Sequence, residues 1–113
     1  MDSILTTIKK LLGLVEDDTS FDTDIIIGIN TAFSTLAQLG VGPSNGFSIK
    51  DKSETWSDFL SSATDLESIK TYVHLKAKLL FDPPASSAMI DSINNILDEL
   101  TFRLYVQAGM TDA

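Results

Sequence analysis

Apolar residues recur at helical spacing along most of this chain, and the clearest stretch covers residues 65 to 107. In its first half Leu66, Ile69, Val73, Ala77 and Leu80 fall in one band, which Tyr72, Leu75 and Leu79 extend. Glu67, Thr71, His74 and Lys78 gather in a narrow opposing stripe. A helix this apolar around its girth must be covered on most sides. In the second half Met89, Ile93, Ile96, Leu97, Leu100 and Leu104 repeat at three and four, which makes one apolar face. Between the halves, Pro83 bars the helical conformation at Asp82, and neither Pro83 nor Pro84 supplies an N–H. The chain must turn there, and neighbouring helices joined by a short connection pack antiparallel. The pattern predicts a long helical hairpin as the scaffold, with the other segments lying against it.

Upstream, Asp2 or Ser3 can cap a first helix in which Ile4, Leu5, Ile8, Leu11, Leu12 and Val15 share a face. Lys9 and Lys10 sit where cations suit the helix dipole, and Gly13 is placed to end the helix. Residues 16–20 read as a polar linker. Asp22 or Thr23 starts a second helix that reaches about Leu39, with Ile25, Ile29, Phe33 and Leu36 inward and Gly40 as the residue after its cap. Gly28 inside this helix means either the close approach of another helix or simple tolerance.

Residues 40–55 change character. Gly40, Gly42, Pro43, Ser44, Asn45 and Gly46 are turn formers, and residues 50–54 form a charged loop. Phe47, Ser48 and Ile49 alternate like one short strand that Thr55 and Trp56 could pair with. Thr55 followed by Asp58 also resembles a capping box, which would open a short helix through Trp56, Phe59 and Leu60. Ser61, Ser62 and Thr64 break the chain before Asp65 caps the long helix, and residues 108–113 read as a fraying tail. The expected fold is mainly α: one domain over residues 1–113, a four-to-five-helix bundle with a long antiparallel helical hairpin and one irregular loop or short hairpin excursion at 40–55.

Composition narrows the function. Sixteen acidic residues against eight basic ones give a formal charge of −8. A nucleic-acid reader carries a basic stripe, so tight binding to DNA or RNA is not expected. Sliding past DNA without adhesion is compatible with like charge. No run approaches the ~18 apolar residues of a membrane span, and no secretion signal is visible. The absence of cysteine excludes a disulfide and a thiolate site, which fits a cytoplasmic life.

Candidate chemistry is sparse. Glu16, Asp17, Asp18, Asp22 and Asp24 are dense enough to suggest a calcium loop, but the central glycine is missing and Phe21 interrupts. They read as linker and helix-cap carboxylates. His74 is the only histidine, cannot build a zinc site without further N or S donors, and has no nucleophile beside it in any motif. It reads as a surface residue. No phosphate loop or nucleophile elbow is present, so no catalytic residue, metal or cofactor is expected.

Some residues stand where a self-contained bundle would not put them. Lys76 falls between Ile69 and Tyr72, inside the apolar arc. Either its stem packs while the ammonium reaches water or a carboxylate, or a neighbouring subunit supplies that carboxylate. Phe102, Tyr105 and Val106 lie on the side of the last helix opposite its apolar stripe, and Ile27 projects from the polar side of the second helix. Clustered apolar residues on a wrong face mark interaction surfaces, unless the middle segment with Trp56 and Phe59 folds over them.

A likeness now becomes visible. The segments Asp17-Asp18-Thr19-Ser20-Phe21-Asp22-Thr23-Asp24, Leu39-Gly40-Val41-Gly42-Pro43, Trp56-Ser57-Asp58-Phe59-Leu60, Ile69-Lys70-Thr71-Tyr72-Val73 and Leu79-Leu80-Phe81-Asp82-Pro83-Pro84 follow one another in order. Together they resemble the head-tail connector (adaptor, or head-completion) proteins of tailed phages and prophages, over nearly the whole chain. The resemblance implies a non-enzymatic helical subunit of the virion, assembled in the bacterial host cytoplasm. It further implies a homo-oligomeric ring beneath the portal protein that extends the DNA channel and docks the next connector or tail-completion protein. DNA would pass through the ring without sequence-specific binding, and no membrane is involved. By the same likeness the loop 40–55 faces the lumen or an interface. The candidate contact residues are then Ile27, Phe47, Ile49, Trp56, Lys76, Phe102, Tyr105 and Val106. The competing reading is a stand-alone helical protein-binding or regulatory module of a prophage.

Overall fold

Ser3 begins the first helix as expected: its hydroxyl accepts the Thr6 N–H at 3.2 Å, and helix α1 runs Ile4–Leu11. The structure is a computed structural model that describes residues 3–43, 45–59 and 66–107. Asp2, Leu60, the break at 61–64, the cap at Asp65 and the tail at 108–113 lie outside the described residues. Helix α2 runs Asp22–Gln38, α3 Trp56–Phe59, α4 Leu66–Phe81 and α5 Ser87–Gln107.

Two helices end by the same device. After α1 the Leu14 N–H reaches back to the Lys9 carbonyl at 2.9 Å and the Gly13 N–H to Lys10 at 3.0 Å. After α2 the Val41 N–H reaches Leu36 at 2.9 Å and Gly40 reaches Ala37 at 3.0 Å. Both glycines take positive φ, 81° and 84°, which side chains other than glycine adopt only at a cost.

Helix α4 is the hub, and it packs on α1, α2 and α5. Its partnership with α2 is the most extensive, so the expected α4–α5 hairpin is only half of the scaffold. The two run antiparallel, as three rungs show. Phe21 meets Phe81 with ring centroids 5.4 Å apart, Gly28 meets Ala77, and Thr35 faces Tyr72. The Tyr72 hydroxyl also faces Thr101, which ties α5 into the same layer. Burial pushes the Tyr72 phenol above its usual value of 10.0, with the Thr101 and Thr35 hydroxyls acting the other way.

The inward residues of α2 (Ile25, Ile29, Phe33 and Leu36) are fully buried, as the spacing predicts. In α4 the buried set is Ile69, Tyr72, Val73 and Ala77, and in α5 it is Ile93, Leu97, Leu100 and Leu104. Five residues expected inside are instead exposed: Leu11, Val15, Leu80, Met89 and Ile96. Leu11 and Leu80 occupy the last turns of their helices, Val15 lies beyond the end of α1, and Met89 and Ile96 edge the α5 stripe.

The middle segment departs from the expected hairpin. Ile49 does not pair with Thr55. Its N–H and carbonyl are both taken by the Asn30 side chain, at 2.7 and 3.0 Å. Thr55 bridges antiparallel to Ser3, and the Ile4 N–H bonds to the Glu54 carbonyl at 3.0 Å. The Asp58 carboxylate accepts the Thr55 N–H at 2.8 Å, which is one half of the capping box, while the Thr55 hydroxyl meets the Ser57 hydroxyl at 3.1 Å, and α3 follows. Phe59 and Phe47 then stack around Phe33 of α2, with centroids 4.6 and 5.2 Å away. Trp56 joins them, its indole N–H donating to the Thr7 hydroxyl at 3.1 Å and its ring lying 5.7 Å from the Lys70 ammonium. Four aromatics thus close the α1–α2 end of the core.

The linker is not simply solvated. Lys9, expected to serve the helix dipole, is only 3% exposed. Its ammonium donates to the Glu16 and Asp18 carbonyls at 2.8 Å each and meets Asp22 Oδ1 at 2.8 Å. That oxygen has no other hydrogen-bond partner. The chain between α1 and α2 is therefore wrapped around one buried cation, which must keep all three partners to offset its lost hydration.

Candidate assembly surface

Five of the exposed large apolar side chains fall on two separate faces, and Leu11, Val15, Met89 and Ile96 belong to neither. On the first, α2 contributes Ile27, Asp24 and Thr31, α4 contributes Leu80 and Phe81, and Phe21 closes one end. Ile27 and Leu80 are each 58% exposed. At its floor Gly28 lets α2 approach Ala77 of α4 closely. On the second face, Phe102 and Val106 project from α5 one turn apart, with Glu99 and Arg103 beside them. Phe102 is 68% exposed, and Arg103 pairs with Glu99 at 3.2 Å.

The candidate contact residues therefore divide. Ile27, Phe102 and Val106 stand in solvent. Tyr105, one turn from Phe102 on α5, is half-buried and engaged within the chain. Lys76 is half-buried one turn before Leu80, with no ion pair among the described residues. Trp56 and Ile49 are buried in this chain's own core and Phe47 is half-buried against Phe33, so these three hold the fold together and expose little to a partner. The middle segment covers α2 and leaves the outer side of α5 open. Phe21 and Leu80 were missed as candidates. Phe21 carried a signal, as one aromatic in a run of acids and hydroxyls, whereas Leu80 looked like an ordinary core position.

The remaining polar groups serve the local structure. Asp18 accepts the Ser20 N–H at 3.0 Å and Asp51 accepts the Ser53 N–H at 2.7 Å. The Ser20 N–H lowers the Asp18 carboxyl from its ordinary value, and the Ser53 hydroxyl, then the Ser53 N–H, lower that of Asp51. His74 is half-buried and not a solvated surface residue. Burial lowers its pKa from 6.5, and the Lys78 ammonium pushes the same way. Among the described residues no three acidic or histidine side chains converge on a metal-sized site, and no helix is long and apolar enough to cross a membrane.

A family model described as phage connector protein matches residues 4–111. Among curated proteins and solved structures, none matches the chain.

Proposed function

This chain belongs to the phage connector protein family, and from that membership we propose that it is a ring-forming subunit between the phage head and tail. The family is a structural one, and its members assemble with other head and tail proteins in the virion. In the proposed role, copies of the chain close into a ring beneath the portal, lengthen the DNA channel and present a docking surface to the next connector or tail protein. The work is mechanical and no bond is made or broken.

One observation supports this reading above the others: Ile27, Leu80 and Phe102 are each more than half exposed, on two faces of the described residues. Single exposed apolar residues are ordinary, but grouped ones mark contact surfaces. Ring closure needs two different patches on each subunit that meet head to tail, and two different patches are present. The formal charge of −8 suits a channel wall. Carboxylates facing the bore repel the phosphate backbone and let DNA pass without adhesion.

The test is electron microscopy of the purified protein mixed with its portal, alongside light scattering at rising concentration. Rings seated on the portal, or association that grows with concentration, are the expected result. A chain that stays monomeric at every concentration and never binds the portal overturns the proposal.

A further inference from the structure

We infer that the subunit contact is a knob seated in a groove: Phe102 and Val106 of one copy enter the Phe21–Ile27–Leu80 groove of the next, with Arg103 of the first copy against Asp24 of the second. The inference rests on the ring reading and names the two faces that would make the ring.

Three observations carry it. First, the two faces are matched in character. The groove is lined by Phe21, Ile27, Leu80 and Phe81, and the rings of Phe21 and Phe81 already stand edge to face at 65°. A third ring such as Phe102 can enter that arrangement in the offset geometry that aromatic pairs prefer. Second, the charges are matched. Asp24 borders the groove with no ion-pair partner among the described residues. Arg103 stands beside Phe102 and uses one arm of its guanidinium on Glu99, at 3.2 Å. The remaining donors of that planar fork are available to a second carboxylate.

Third, the two faces differ from each other, one an α2–α4 groove edged by Asp24 and the other an α5 ridge that carries Arg103 beside Phe102. The pairing we infer is therefore heterologous. Each subunit offers a knob on α5 and a groove on α2 and α4, so assembly runs head to tail until it closes. Each face is only a few side chains wide, so a single pair of copies should hold weakly and the closed assembly should hold better.

The chain has no cysteine, so any disulfide reports positions chosen by the experimenter. Ile27→Cys and Phe102→Cys are made singly and together, and each protein is oxidised with diamide, which takes up the two thiol hydrogens as the disulfide forms. The double variant should give a ladder of linked chains on a non-reducing gel. The two single variants mixed should give a dimer, and each single variant alone should stay a monomer. Asp24→Arg should cut linking of the mixed pair about tenfold when placed in the Ile27→Cys chain, and Arg103→Asp in the Phe102→Cys chain should restore it.

Dimers from either single variant alone would mean a like-with-like contact and overturn the pairing. Association by light scattering without linking of the mixed pair would also overturn it, while leaving the ring reading in place. A protein that neither links nor associates, with or without portal, defeats both.

Discussion

Gly28 of α2 lies so close to Ala77 of α4 that a Cβ at Gly28 would stand 3.2 Å from the Ala77 Cα. This close approach lies within the most extensive helix pairing of the fold. Gly28→Ala gains about 1 kcal/mol of helix propensity and loses a comparable amount to crowding, so it should be nearly neutral. Gly28→Val adds two more carbons at the same point and should cost about 2 kcal/mol. Urea denaturation of the two variants checks this. Equal midpoints for wild type and Gly28→Val would show that the helices can part there without loss.

Lys9 gives a larger effect. Replacing it with methionine keeps the buried stem and leaves the Asp22 carboxylate and two backbone carbonyls without their cation. Removing one partner of a buried pair costs about 3 kcal/mol or more. The further change Asp22→Asn should recover part of the loss, because it removes the stranded charge. If Lys9→Met unfolds at the same urea concentration as wild type, the linker is not held by this ammonium.

A titration follows from His74. Its folded pKa lies below the ordinary 6.5, because burial and then Lys78 disfavour the charged imidazole. The unfolded chain therefore takes up a proton before the folded chain does. Stability should fall as pH drops below 6.5, and that fall should stop once the folded imidazole is itself protonated. His74→Gln should remove this segment of the profile and leave the carboxylate segment at lower pH unchanged. Thermal unfolding measured from pH 7 downward decides the matter, and parallel curves for both proteins would refute it.

The connection after α4 is held by prolines. Helix α4 continues to its last backbone bond, Asp82 N–H to Lys78 at 2.8 Å, and the prolines then end it. Pro83→Ala with Pro84→Ala frees the unfolded chain and lets helix run on into the turn, at about 1 kcal/mol or a little more. The urea midpoint should fall while the helical circular dichroism holds or rises. An unchanged midpoint would mean that the α4–α5 contacts alone set the turn.

What the sequence made legible was mostly local. The caps at Ser3, Gly13 and Gly40, the Asp58 half of the capping box with Thr55, and the turn at Pro83 each depend on residues a few positions apart, and these formed. Helix faces were legible too, but only as directions. Leu80 falls with the core band on the wheel and is exposed, beside Ile27 in a groove between α2 and α4 that no helical wheel reveals. The fate of Lys9 depended on carbonyls seven and nine residues away, which have no side-chain signature to read. For the same reason Trp56, Ile49 and Phe47 read as contact residues and proved to be internal, since their partners Thr7, Asn30 and Phe33 lie in other helices. The exposed face at Phe102 was legible because an aromatic opposite a regular apolar stripe needs no tertiary knowledge to be noticed.

The pair of hydrogen bonds between Asn30 and the backbone of Ile49 has a consequence for storage. A primary amide is needed there, since one atom must donate and the other must accept. Slow hydrolysis to aspartate, the familiar ageing of asparagine in solution, would swap the donor for a second oxygen and aim it at the Ile49 carbonyl. Shape and size would hardly change, yet the middle loop would come loose from α2. An old preparation could thus lose its loop anchor while its mass differs from a fresh one by the exchange of NH for O.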